Sequence, residues 1–277
     1  MLVSAKIKST IESILIYIGV IVVVLFAFFP VYWMIAISFK VEGDILTIPP
    51  KFLFQPTLTN YQFVFEKSDF ILGTKNSLIL IFAVSIIVVP ISALAAYSFA
   101  RFNTGGGNLQ FYILTTRMFP PIAAVLPFFL LFNFLGLLDN IVSLILLNSV
   151  FNLPFTVWLL YGFFRDIPPD LEEAAMTEGA TRFEAFREIV LPLVAPGLAV
   201  SAIFTIIFTW NEYLFAYILT RSQAITITRV VAGFFTERGI LWGPLCAAAT
   251  LCTIPMLIMA LIIQRYIVRG LTFGAVK

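Results

Sequence analysis

The stretch Ser77-Leu-Ile-Leu-Ile-Phe-Ala-Val-Ser-Ile-Ile-Val-Val-Pro-Ile-Ser-Ala-Leu-Ala-Ala-Tyr-Ser-Phe-Ala100 holds no charged residue and ends against Arg101. As a helix it covers ~30 Å or more, the thickness of a bilayer's hydrocarbon core. Lipid offers no partner to an unpaired backbone group, so helix is the conformation such a run must take. Five further runs share this character, at 14–37, 109–135, 141–164, 196–220 and 241–263. Prolines 30, 90, 120, 121, 127, 154 and 255 lie inside these runs. A soluble helix would break at them, whereas a membrane helix tolerates them as kinks.

Composition supports the same reading. The 277 residues are 61% hydrophobic and 12% charged, with a mean hydropathy of +1.03. A soluble domain carries roughly 25% charged residues. The expected fold class is therefore all-α: a polytopic membrane protein of six transmembrane helices, forming a single domain over 1–277. A net charge of +2 gives no reason to expect nucleic acid as a partner. Histidine is absent, and Cys246 and Cys252 are the only cysteines. Neither a metal site nor a disulfide framework is expected, and no catalytic residue is assigned. Lys6 and Lys8 precede an apolar run too long for a signal peptide, so that run is expected to be a retained helix.

The connections differ in character. The segment 38–76 carries Pro49, Pro50 and Pro56, with a short interfacial helix expected around 61–66. Gly105-Gly106-Gly107 and 137–140 read as tight turns. The segment 165–192 is the only long, strongly charged one in the second half. Pro168 and Pro169 end the preceding helix, and Asp170 can cap a new one with an acidic first turn. Gly179 permits the turn that ends it. Thr181 and Glu184 have capping-box spacing for a second helix with Phe183, Phe186 and Ile189 as its apolar stripe, closed by Pro192. The expectation is a helix–turn–helix at the bilayer surface. Ala174 and Ala175 give its first helix a face without bulk, which another protein's groove can approach closely.

This loop resembles the EAA loop of importer-type ABC permeases, in which Glu-Ala-Ala is followed at fixed spacing by Gly, Ile and Leu-Pro. The matching positions are Glu173, Ala174, Ala175, Gly179, Ile189, Leu191 and Pro192; Glu178 stands where many members carry Asp. The resemblance implies a coupling helix that docks on a cytoplasmic ATPase, which places 165–192 and both termini in the cytoplasm. Lys and Arg are nearly balanced between the two sides, with a slight excess inside. Two other stretches, Thr209-Trp210-Asn211-Glu212-Tyr213 and Arg269-Gly270-Leu271-Thr272-Phe273-Gly274-Ala275-Val276-Lys277, are similar to the MalG-like, binding-protein-dependent carbohydrate-uptake permeases.

That resemblance implies a subunit of an ATP-driven importer in a bacterial inner membrane, carrying a sugar or sugar-like solute such as an oligosaccharide, polyol or glycerol phosphate. Its implied partners are a second homologous permease, two ABC ATPase subunits and an extracytoplasmic solute-binding protein. The C-terminal tail is implied to touch the ATPase pair. The chain has no phosphate loop, so ATP and Mg would be used by the partner subunits and no cofactor by this chain. An ion-coupled secondary transporter is the alternative. It would need intramembrane carboxylates at broken helices, for which only Glu212 stands as a candidate. An integral-membrane enzyme would need a polar constellation that the sequence lacks.

Polar residues in the runs have two readings each. Asn211 and Glu212 either line a translocation path, or Glu212 is solvated near the outer interface or bonded to a neighbouring helix. Asn148 and Asn152, at i, i+4 spacing, either bond between helices or touch solute. Arg117 either snorkels to the headgroups or stays at depth.

Overall fold

The computed structural model describes the backbone of residues 2–237 and 239–273, and the side chains of 13–237 and 239–262. Its helices are α1 (Leu2–Ser38), α2 (Glu42–Ile45), α3 (Thr59–Lys67), α4 (Phe70–Phe102), α5 (Gly106–Thr116), α6 (Pro121–Phe134), α7 (Ile141–Arg165), α8 (Asp170–Thr177), α9 (Arg182–Ala185), α10 (Leu191–Trp210), α11 (Leu214–Leu219), α12 (Ile227–Ala232) and α13 (Trp242–Phe273). A two-stranded antiparallel ribbon, β1 (Phe235–Thr236) with β2 (Gly239–Ile240), pairs Phe235 with Ile240. Among the described residues, five unbroken helical stretches are long and apolar enough to cross a membrane, and the bent pair α5–α6 supplies a sixth span.

Two spans depart from their expected form. The third is not one helix: α5 and α6 meet at 84°. Pro120 and Pro121 supply no N–H, and proline disfavours helical geometry in the residue before it. Met118 and Phe119 therefore close α5 with tight turns, while Pro120 is extended at φ −67°, ψ 120°. The fifth span is longer than expected at its start and shorter at its end. It runs unbroken over Arg182–Trp210, because Pro192 does not close the second loop helix. A π-helical turn spans Phe186–Val190, and the Leu191 N–H donates to the Phe186 carbonyl five residues back. That wider turn accommodates a proline ring that would clash in a regular helix. The span ends at Trp210, and α11 follows after a break at 211–213.

The chain forms two compact units. The first comprises 1–68 and 233–253. In it α1 leaves the residues from Ile14 to Phe26 largely exposed, as a lipid-facing span does. Lys40 is only 1% exposed. Its Nζ donates to the Lys51 carbonyl at 2.6 Å and sits over the rings of Trp33 and Phe54. Burial lowers the pKa of this ammonium, and the Asp44 charge offsets part of that. Asn60, on the α3 helix expected near 61–66, donates to the carbonyls of Ser38 and Lys40.

The second unit comprises 69–232 and 254–277, and α4, α7 and α10 form its frame. One apolar cluster, around Ala96, Leu160, Phe164 and Val190, fills the end next to the 165–192 loop. Another, around Leu80, Val84, Leu144, Leu147 and Ala216, fills the opposite end. Small residues let the helices close up, as membrane packing requires. A Cβ on Gly197 of α10 would stand 2.5 Å from the Phe163 ring of α7.

Candidate coupling site and translocation path

The 165–192 loop is built as its local signals imply. Asp170, Glu172 and Glu173 occupy the first turn of α8 and favour its positive end. Pro169, not Asp170, takes the cap position, and Asp170 makes no capping bond. Proline at the cap leaves no N–H to satisfy, so the acidic residues act through the helix dipole alone. At the other end Gly179 N–H bonds the Met176 carbonyl and Ala180 N–H bonds that of Ala175, both at 3.1 Å. This is the Schellman closure, and Gly179 adopts the left-handed conformation it requires, φ +101°. Thr181 and Glu184 form the full capping box of α9.

The loop displays one set of residues and buries another. Glu173, Ala174, Glu178 and Gly179 are exposed. The expected apolar stripe divides: Phe186 is buried, Ile189 half-buried, and Phe183 is 67% exposed. Leu191 is half-buried and Pro192 exposed at the start of α10. With Leu171 at 44% exposure, Phe183 adds an apolar component to the displayed surface that the sequence pattern did not reveal.

Holding this surface is a buried clasp that sequence reasoning missed. Glu172, beside the displayed Glu173, pairs with the Arg101 Nε at the end of α4. Both side chains are under a tenth exposed. The other Glu172 oxygen accepts the Tyr97 hydroxyl at 2.6 Å. The Arg101 guanidinium also donates to the carbonyls of Phe164 and Ile167, at 3.1 and 3.0 Å, where α7 enters the loop. The Tyr97 ring packs on Phe186 at 4.6 Å. One arginine thus ties α4, α7 and α8 together, with each of its three nitrogens donating and its charge paired.

The residues singled out for a path are placed differently from one another. Asn148 and Asn152 are buried on α7, and each donates one turn back along its own helix. Asn152 also reaches Thr209 Oγ1 of α10 at 3.3 Å, one turn from a Thr156–Thr205 contact. Asn211 is exposed at the end of α10. The Glu212 carboxylate accepts the N–H groups of Phe215 and Ala216, which caps α11 across the break in the chain. Arg117 stands at the α5–α6 break and donates to the Phe151 carbonyl at 2.7 Å.

At the opposite end of this unit Asp139, with φ +53°, accepts backbone N–H groups from Arg221, Ser222, Gln223 and Ala224. Burial alone would raise its pKa, but these bonds outweigh burial and hold the carboxyl well below the usual range. Sequence alone reads 137–140 only as a turn. The expected tail contact at 269–277 lies outside the described side chains, and 274–277 outside the described backbone.

Six candidate spans and a helix–turn–helix tied to α4 and α7 fit a transport permease, a non-catalytic membrane subunit. The chain belongs to the family described as the binding-protein-dependent transport system inner membrane component, whose family model matches residues 88–273. It is a multi-pass inner-membrane protein whose family works with a solute-binding protein. It is 37% identical over 275 residues to the trehalose/maltose transport system permease protein MalG of Thermococcus litoralis, covering 98% of this chain and 99% of that one. It is 39% identical over 261 residues to the trehalose transport system permease protein SugB of Mycobacterium tuberculosis, covering 92% and 94%. Its fold matches a solved bacterial ABC transporter involved in the import of the acidic polysaccharide alginate, with a TM-score of 0.73 at 21% identity over 94% of this chain and 97% of that one.

Proposed function

We infer that this permease is one membrane-spanning half of an ATP-driven importer for a sugar or sugar-like solute. It pairs with a second homologous permease around a central pathway. Two ABC ATPase subunits bind on the side of the 165–192 loop, which is cytoplasmic, as are both termini. A solute-binding protein delivers cargo on the other side. ATP and Mg are used by the ATPase subunits, and this chain needs no cofactor.

The observation that carries this reading is the division of labour in the loop. Glu173, Ala174, Glu178 and Gly179 face outward with Phe183, while Glu172 beside them is bound to Arg101. A partner that moves this surface therefore moves α4 and α7 with it, rather than bending a soft connector. Closure of the ATPase pair on ATP would rock these helices and expose the path outward; hydrolysis would return them. The names of the two relatives support a saccharide as cargo. Asn211 and Glu212 are assigned to the far end of the path, and Asn148 and Asn152 to the α7–α10 seam beside it.

The test is co-expression with the neighbouring genes, purification in mild detergent and an ATPase assay with the loaded binding protein. An ATPase and a second permease that purify with this chain, and ATP hydrolysis that rises with a loaded saccharide-binding protein, are the expected results. A chain that purifies alone and transports on an ion gradient without ATP would overturn the reading.

A further inference from the structure

Arg117 poses a physical problem that the coupling mechanism does not solve. It lies ~17 Å along a helix that starts at Gly106, and its neighbour Phe155 lies ~15 Å from the Arg165 end of α7. Both estimates put the guanidinium near the middle of a ~30 Å hydrocarbon layer, where an unpaired charge is costly. Among the described residues Arg117 pairs with no carboxylate, and none falls within α4, α5, α6, α7 or α10. Glu212, just beyond α10, is committed to the α11 backbone. One donor of Arg117 meets the Phe151 carbonyl, and the residue is exposed.

Its surroundings are aromatic. The guanidinium carbon stands 4.9 Å from the centre of the Phe208 ring and 5.9 Å from that of Phe155. Phe155, Phe204 and Phe208 pack on one another at 5.2 to 5.9 Å and are only half-buried. Asn211 follows Phe208 by one helical turn and is exposed. A mid-depth cation at a broken helix, held by one carbonyl and flanked by half-buried aromatic rings, has the parts of a solute subsite. An aromatic face stacks on the apolar face of a sugar ring. The planar guanidinium fork matches a carboxylate or a phosphate.

We propose that Arg117 with Phe155, Phe204 and Phe208 forms a mid-membrane subsite for an anionic saccharide. The negative group rests on the guanidinium and the sugar ring stacks on the phenylalanine cluster. The charge of the solute then supplies the counter-charge that the spans lack. The proposal rests on the saccharide-importer reading and adds a requirement for charge.

The experiment measures binding of radiolabelled trehalose 6-phosphate, digalacturonate and trehalose to the co-purified permease–ATPase complex in nanodiscs. The first two carry phosphate and carboxylate, and trehalose is the neutral control. The complex should bind one or both charged sugars at least about tenfold more tightly than trehalose, the size of one charge-assisted contact. R117Q should abolish that difference, R117K should keep part of it, and F208A should weaken all saccharide binding. Equal affinity for trehalose and both charged sugars in the unaltered complex, or a preference that survives in R117Q, would overturn the proposal. The unaltered complex decides it even if R117Q does not assemble. Stimulation of ATP hydrolysis by a neutral saccharide without any charge preference would sink this subsite and leave the importer reading intact. Indifference of binding and hydrolysis to every saccharide would remove both.

Discussion

Arg101 and Arg117 belong to the same compact unit and meet opposite fates. Arg101 is under a tenth exposed, ion-paired with Glu172 and bonded to two carbonyls. Arg117 is exposed, has one carbonyl and aromatic faces, and has no carboxylate partner among the described residues. A buried charge that is paired and bonded through each nitrogen holds helices together. A charge left open at a helix break is available to something that comes and goes. On the proposed importer reading, the contrast separates the end of the unit that transmits force from the depth at which solute passes.

The largest effect should come from Arg101. Removing one partner of a buried pair leaves the other uncompensated, which costs about 3–5 kcal/mol. R101A should therefore lower the thermal stability of the purified complex sharply, with E172A close behind. E172Q should do less harm to stability, because it retains hydrogen bonds to Tyr97 and Arg101, but should weaken the link between ATP hydrolysis and uptake. Full coupling in E172Q would show that the clasp only supports the fold.

Asp139 is the next test, at the end of the unit away from the coupling loop. Its carboxylate gathers four successive N–H groups from 221–224, and hydrogen bonds to a charged group contribute about 1.5–3 kcal/mol. D139A should destabilise the complex at pH 7 by an amount of that order. The pKa is depressed in the folded state, so this stabilisation is complete above the unfolded carboxyl value of about 3.9 and fades as pH falls toward the lower folded value. The gap in stability between the unaltered protein and D139A should be flat from pH 7 to about pH 5 and narrow at more acid pH. A gap that widens on acidification would contradict the assignment.

Within the coupling loop smaller changes should act on transmission. At Gly179 a Cβ would meet nothing within 4 Å, so backbone conformation and not crowding excludes side chains. Valine at φ +101° should cost about 1–3 kcal/mol, tilting α8 against α9. G179V should insert and still allow ATP hydrolysis while uptake falls; unchanged uptake would refute the coupling role. T181A removes the α9 capping box and should cost about 1 kcal/mol, with a milder loss of uptake.

How much of this was legible in the sequence depended on range. Span existence follows from apolar runs, and the Gly179 turn and the Thr181–Glu184 box follow from residues within a few positions of one another. The break in span three is signalled by Pro120-Pro121, but hydropathy summed across the run hides it, since the two halves together are apolar enough for one span. The continuity of span five through Pro192 was unreadable because it depends on a π turn that a proline signal does not disclose. The clasp was invisible for a different reason. Arg101 and Glu172 are 71 residues apart, and Glu172 falls just before the first position that the EAA pattern defines. Asp139 and its donors are over 80 residues apart, so only the fold brings them together.

Arg117 gives the smallest expected effect on stability, and for that reason the sharpest comparison with Arg101. Replacing it by leucine removes one bond to the Phe151 carbonyl and its contact with Phe208, and also removes an uncompensated charge from apolar depth. These effects oppose one another, since leucine suits the hydrocarbon layer better than an unpaired guanidinium. R117L should therefore change thermal stability by no more than about 1 kcal/mol in either direction, well below R101A. Transport should respond in the opposite order to stability, with a deep loss of uptake of charged saccharide in R117L from a complex that remains assembled. If R117L instead unfolds the complex as R101A does, Arg117 is a structural tie like its counterpart, and the division of the unit into a force-bearing end and a solute-bearing depth fails.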